Sequence, residues 1–92
     1  MSPVWVDALD DVTVYVFGTL GGNTPAIAIE GSPVNTGTPT SAEFAPLTTG
    51  GVAISLNAVK TCAVIDQSTL WVKPVLTGGD GSTDLTVWVV AK

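Results

Sequence analysis

The sequence has no histidine and no arginine, and only three lysines (Lys60, Lys73, Lys92) against eight acidic residues. It has a single cysteine and no uninterrupted apolar run near the ~20 residues that cross a bilayer as a helix. Each scarcity removes a class of function. General acid–base catalysis at neutral pH rests most often on histidine, and the Ser–His–Asp and Cys–His arrangements require it. A lone cysteine can form no intrachain disulfide and supplies none of the cysteine–histidine zinc spacings. Cys62 lies in "TCAVI" with no histidine or lysine cluster beside it to lower its pKa, and is expected to be a small buried thiol. The net charge of −5 opposes contact with phosphates, so no direct nucleic-acid partner is expected. The opening residues lack the basic and apolar segments of a secretory leader, and no targeting signal is expected there. With 92 residues the chain has surface enough for one core and no second one.

What is present is apolar alternation at period two, interrupted by clusters of glycine, proline, asparagine and threonine. "DVTVYVFG" places Val12, Val14 and Val16 on one face and Thr13, Tyr15 and Phe17 on the other. "AIAIEG", "EFAPL", "VAISLN", "VKTCAVI", "TLWVKPVL" and "DLTVWVV" continue the pattern, with Pro46 confining its segment to an edge or a break. The expected fold is all-β: a small antiparallel β-sandwich, jelly-roll or Ig-like, of about seven short strands over residues 11–92, preceded by an N-terminal arm over residues 1–10. The expected core is Val12, Val14, Val16, Ile27, Ile29, Ile54, Leu56, Leu70, Val72, Leu85, Val87 and Val89. "GSPVNTGTPTSAE" (Gly31 to Glu43) is expected to be an extended surface loop.

Several strands are apolar on both faces, which a soluble two-layer sandwich does not require. Tyr15 and Phe17 lie opposite the valines of their strand, Trp71 opposite Leu70 and Val72, and Trp88 opposite Val87 and Val89. Tryptophan and tyrosine are enriched in contacts between chains. The alternation therefore predicts an adhesive aromatic face built from Tyr15, Phe17, Trp71 and Trp88, with Trp5 of the arm as a further interface residue.

Candidate chemistry is sparse. The carboxylates fall in loops, at strand ends or alone: Glu30 and Glu43 flank the long loop and Asp66 follows "AVI". No pair is set for glycosidase work, and neither catalytic residues, cofactor nor metal are expected. "DGSTD" offers Asp80, Ser82 and Asp84 at the spacing that begins a calcium loop, but Leu85, Thr86 and Val87 follow where a bidentate acid is needed. The stretch "TGGDGSTD" therefore reads as a turn feeding the last strand, in which replacing Asp80 and Asp84 by asparagine should change stability by no more than about 0.5 kcal/mol.

The succession "VYVFGT", "GGNTPAIAIEGSP", "FAPLTTGGVAISLN" and "VKPVLTGGDGSTDLTVWVVAK" resembles the small β-rich proteins of tailed-bacteriophage heads that act as capsid decoration or cement proteins. The resemblance runs from Val12 to Lys92 and rests on strand spacing, glycine turns and the "PVLTGGDGSTDLTV" ending. Where similar sequences carry a Ser–x–Asp–Gly turn after the "EGS" strand, this chain has the longer Ser32–Pro33–Val34–Asn35–Thr36–Gly37. The resemblance implies a structural virion protein without enzymatic activity, located on the capsid surface. It further implies the major capsid protein as partner and a homotrimer at local threefold positions. The competing reading is a carbohydrate- or cell-surface-binding β-module of a phage fibre or spike, in which Trp5, Trp71 and Trp88 stack on sugar rings.

Overall fold

The computed structural model describes residues 2–9 and 11–92. Met1 and Asp10, the two ends of the expected arm, lie outside the described residues. The strands are β1 (Val4–Trp5), β2 (Val12–Thr19), β3 (Ala26–Ser32), β4 (Ala45–Pro46), β5 (Thr48–Thr49), β6 (Val52–Ala53), β7 (Ser55–Leu56), β8 (Thr61–Val64), β9 (Trp71–Thr77) and β10 (Asp84–Ala91). Among the described residues the helical content is one 3-10 turn, Ser41–Glu43, whose first turn is closed by the Thr40 N–H donating to the Glu43 carboxylate at 2.8 Å.

The strands assemble into an antiparallel sandwich. One layer runs β1-β9-β3-β4, with β7 also paired to β3; the other runs β10-β2-β8; β5 and β6 form a separate hairpin. Between the layers, Val12, Val14 and Val16 of β2 join Ile27 and Ile29 of β3 and Val72 of β9 in one buried cluster. Ile54 is buried there too, while Leu56, Leu85, Val87 and Val89 are half-buried against its margin. Leu70 is only half-buried and stands outside the cluster.

Four core residues were not anticipated: Val6, Leu47, Ala63 and Ile65. Val6 corrects the reading of the first ten residues as an arm. Val4 and Trp5 pair with Val72 and Trp71, the Val6 N–H donates to the Leu70 carbonyl at 2.8 Å, and Val6 is 3% exposed. The segment is the edge strand of the larger layer, because alternation carries Val6 inward while its backbone satisfies the otherwise unpaired start of β9.

The number of strands also differs from about seven, because "EFAPLTTGGVAISLN" breaks into the two-residue strands β4 to β7. Pro46 stops the ladder at the sheet edge, where it pairs with Glu30. Gly50 (φ 58°) and Gly51 (φ 82°) then make the two-residue primed turn that joins β5 to β6. Pro74 is tolerated inside β9 for a related reason. The Ile29 carbonyl, its cross-strand partner, accepts from Leu47 on the other side, so the Ile29–Pro74 pair exchanges no ladder bond. On the remaining side β1 covers only Trp71 and Val72.

One glycine is required by the β2–β10 ladder. Gly18 has φ 121°, and a Cβ there would run into the backbone carbonyl oxygen of Asp84. Backbone cannot give way as a side-chain tip can. Gly18→Ala should therefore lower the stability measured by urea unfolding by roughly 2 kcal/mol. Gly81→Ala, where a Cβ meets nothing within 4 Å, should stay within about 0.5 kcal/mol.

Candidate functional site

The inward valine face of β2 forces Thr13, Tyr15 and Phe17 outward. The β2–β10 register sets Trp88 opposite Tyr15, Val90 opposite Thr13 and Thr86 opposite Phe17. On the other flank, β8 sets Cys62 opposite Tyr15 and Val64 opposite Thr13. The outer surface of the three-stranded layer thus carries rings and aliphatic groups interspersed with Thr13, Thr86 and Cys62. Tyr15 and Phe17 stack with centroids 6.4 Å apart and planes 10° from parallel. Trp88 is 60% exposed, Val64 55%, Phe17 42% and Val90 41%, so four large apolar groups stand in solvent on three adjacent strands. A shallow groove of about 260 Å³ crosses the end of this face, lined by Asp11, Thr13, Tyr15, Val64, Val90 and Lys92.

Cys62 belongs to this outer face and is exposed, contrary to the expectation of a buried thiol. The inward position of β8 is taken by Ala63, and alternation turns both Cys62 and Val64 to solvent.

Trp71 does not belong to it, which corrects the single face expected from Tyr15, Phe17, Trp71 and Trp88. Val72 points into the core from β9, so Trp71 points out of the opposite side of the sandwich. There Trp5 meets it edge-on, with centroids 5.2 Å apart at 75°. The Trp71 indole N–H donates to the Val34 carbonyl at 2.9 Å. Next to it, the Lys73 ammonium stands 5.1 Å from the centroid of the Phe44 ring. On the larger layer's outer surface Trp71 is thus partly covered by its strand neighbour Trp5 and by the long loop at Val34, and Lys73 by Phe44. The three-stranded layer has no such cover among the described residues.

The acidic glycine loop is a clamp between two loops. One Asp80 carboxylate oxygen accepts from the Gly22 N–H at 3.0 Å and the other from the Ser82 N–H at 2.9 Å. The Thr83 hydroxyl accepts from the Asp80 N–H at 2.9 Å and donates to the Leu20 carbonyl at 2.7 Å. Asn23 closes the contact by donating its side-chain N–H to the Gly79 carbonyl at 3.1 Å. Both Asp80 oxygens are thus occupied by backbone donors, and no three His, Cys, Asp or Glu residues converge as a metal site among the described residues. A larger groove of about 440 Å³, lined by Leu20, Gly21, Thr24, Pro25, Ala26 and Asn57, borders this clamp and has no ionisable side chain in its walls.

Asp66 plays the same part for the β5–β6 hairpin. Its carboxylate accepts from the Gly51 N–H at 2.9 Å, the Thr48 hydroxyl at 2.8 Å and the Gly50 N–H at 3.1 Å. These donors, Gly51 foremost, hold its pKa below the ordinary 3.8. Gln67 adds a second grip on Thr48, accepting from its N–H at 2.9 Å and donating to its hydroxyl at 2.7 Å.

No protein-family model matches the chain, and comparisons with curated proteins and with solved structures find no significant similarity.

Two expectations follow from the carboxylates. Asp80→Asn can serve only one of the two backbone donors, because its amide nitrogen cannot accept. The contacts of Asp80 correct the near-neutral change expected of a simple turn: its replacement should cost about 1 kcal/mol in urea unfolding, whereas Asp84→Asn, whose side chain is exposed, should be nearly neutral. For Asp66 the folded-state pKa is depressed, so its stabilisation is complete above pH 3.8 and is lost as pH falls through the lower folded-state value. Amide exchange at Gly50 and Gly51 should accelerate in that acid window relative to amides elsewhere in the sandwich. Asp66→Asn should remove the difference by making those amides fast at every pH.

Proposed function

We propose that this chain is a structural virion protein, a decoration or cement protein that binds and stabilises the head shell of a tailed phage. The observation that carries the reading is the open apolar face of the three-stranded layer, where Phe17, Val64, Trp88 and Val90 stand exposed on three neighbouring strands. A soluble monomer has no need of a contiguous aromatic and aliphatic patch on a flat sheet, and such patches mark surfaces that meet other chains. The segment-by-segment resemblance to phage head proteins supplies the partner class, the major capsid protein, and the location, the capsid surface. A chain without histidine, with Asp66 and Asp80 engaged in turns, has little to offer a reaction but suits a part whose work is adhesion.

The shallow groove with Asp11 and Lys92 beside Tyr15 favours a second reading, a carbohydrate- or cell-surface-binding module of a fibre or spike, since ionisable groups next to exposed rings suit sugar recognition. The two readings part on the ligand. A decoration protein saturates head shells assembled from the major capsid protein at a fixed ratio to shell subunits; a sugar-binding module leaves shells bare and binds glycans saturably.

Trp88→Ala should leave the melting temperature nearly unchanged, because the ring is mostly exposed, while weakening attachment to shells by about 2 kcal/mol, or roughly thirtyfold. Trp71→Ala should do the reverse: it loosens the long loop and lowers stability while shell binding survives. Unchanged shell binding by Trp88→Ala, measured by co-sedimentation, would move the adhesive surface away from the three-stranded layer.

A further inference from the structure

The outer edge of β10 is a strand edge without the usual protection. β10 is paired with β2 over eight consecutive residue pairs with no break in register. Among the described residues, no main-chain group bonds to its other side. Such edges are normally blunted by a bulge, a proline or a charge within the strand, yet between Asp84 and Lys92 the sequence is Leu85–Thr86–Val87–Trp88–Val89–Val90–Ala91. The inward side chains Leu85, Val87, Val89 and Ala91 are only half-buried, so the core is also unfinished along this edge.

Hydrogen-bond geometry fixes which backbone groups the edge presents. Lys92 and Asp11 exchange both bonds, Lys92 N–H to Asp11 carbonyl at 2.8 Å and Asp11 N–H to Lys92 carbonyl at 3.2 Å. In an antiparallel ladder every second residue repeats that orientation. Asp84, Thr86, Trp88 and Val90 therefore face β2, while Leu85, Val87, Val89 and Ala91 direct their N–H and carbonyl groups to the free edge. An incoming strand must place its own outward-facing residues opposite these four.

The geometry points to a second copy of this chain, whose β10 pairs antiparallel with the first across a twofold axis at Trp88. In that register Leu85 faces the partner's Ala91 and Val87 faces the partner's Val89, so the edge donors and acceptors meet. A shift of one residue would set outward groups against residues that have none. Among the allowed shifts, this one alone opposes Asp84 to Lys92 of the partner subunit, and by symmetry Lys92 to the partner's Asp84. The one acidic and one basic residue that bound the strand are thus complementary to themselves reversed. A twofold contact of this kind is closed and does not propagate into fibres. It joins the two three-stranded layers into one continuous sheet with the Trp88 rings adjacent on its outer face, a non-hydrogen-bonded pair whose side chains approach closely.

The pairing is independent of what the outer face docks onto, so its test uses the purified full chain without shells or glycans. Sedimentation should show a concentration-dependent dimer. Val87→Pro removes one outward donor without touching the bonds to β2 and should abolish the dimer. Lys92→Glu should weaken it about tenfold, and Asp84→Lys combined with Lys92→Glu should restore it. Register is read by cross-linking in a Cys62→Ser background. Trp88→Cys should form a disulfide-linked dimer on mild oxidation, since directly opposed residues lie within disulfide reach. Thr86→Cys should not, because its twofold mate lies about 14 Å along the strand. The inference is overturned if the chain stays monomeric up to about 1 mM. It is equally overturned by a trimer or dimer that the charge exchange leaves unmoved and Trp88→Cys fails to cross-link, even should Val87→Pro prove unable to fold.

Discussion

The contact of Val12, Val14 and Val16 with Ile27, Ile29 and Val72 fixes which side of each sheet layer faces inward. Each of these side chains is almost completely removed from water, and burial of a valine or isoleucine is worth about 1.5 to 3 kcal/mol. A domain of this size has few such groups, so no alternative register of β2 competes: a slip of one residue would exchange three buried valines for Thr13, Tyr15 and Phe17. The exposure of Tyr15 and Phe17 is therefore a consequence of the core and not a separate design. The same pleat, carried across eight pairs to β10, turns Trp88 and Val90 outward, and carried to β8 it exposes Cys62 and Val64.

Around this core, loops are held by side chains acting on backbone donors. Asp80 ties the loop before β10 to the Gly21–Gly22 turn, Asp66 and Gln67 hold the β5–β6 hairpin, and Trp71 holds the long loop through Val34. Carboxylates are effective here because an ionised oxygen accepts several N–H bonds at once, each stronger than a neutral one. Asp66, Asp80 and Glu43 are thereby placed where turns need acceptors.

The two outer surfaces have different fates. On the larger layer's outer surface, Trp71 packs against Trp5 of the neighbouring edge strand and is held by the long loop at Val34, and Lys73 lies over the Phe44 ring. The smaller layer has only three strands and no overlying segment among the described residues, and its rim strand β10 ends the sheet with unpaired backbone. Apolar side chains on its face and unsatisfied donors along its edge are two separate reasons for association. One is non-directional and can accept a broad partner surface; the other is directional and demands a strand. The proposed shell contact on the face and the proposed strand pairing at the edge are compatible, because face and edge lie at right angles to each other.

The amino-acid sequence alone determined the strand character of β2, β3, β8, β9 and β10, because period-two alternation is a local property, and it determined which side of β2 and β10 enters the core. Six of the twelve expected core residues are fully buried on those grounds, with Ile54 buried between β6 and β7, and the aromatic side chains opposite them were legible as outward groups. The turn at Asp80 was legible from its glycines, but its grip on Gly22 was not, since the partners are 58 residues apart. Nor could alternation tell in which layer a strand lies. Trp71 and Trp88 read alike in the sequence, each opposite an aliphatic face, and only the pairing of β9 with β3 and of β10 with β2 sends them to opposite sides of the sandwich. Cys62 was misread for the same reason, because "TCAV" has two half-apolar faces of similar size and the choice of Ala63 as the inward residue was made by the register with β2. Val6 entered the core through backbone bonds to Leu70 that no local pattern announces. Alternation along a strand is fixed by bond geometry within a few residues; the assignment of faces to layers, and of exposed faces to cover or to solvent, depends on contacts between segments far apart in the chain.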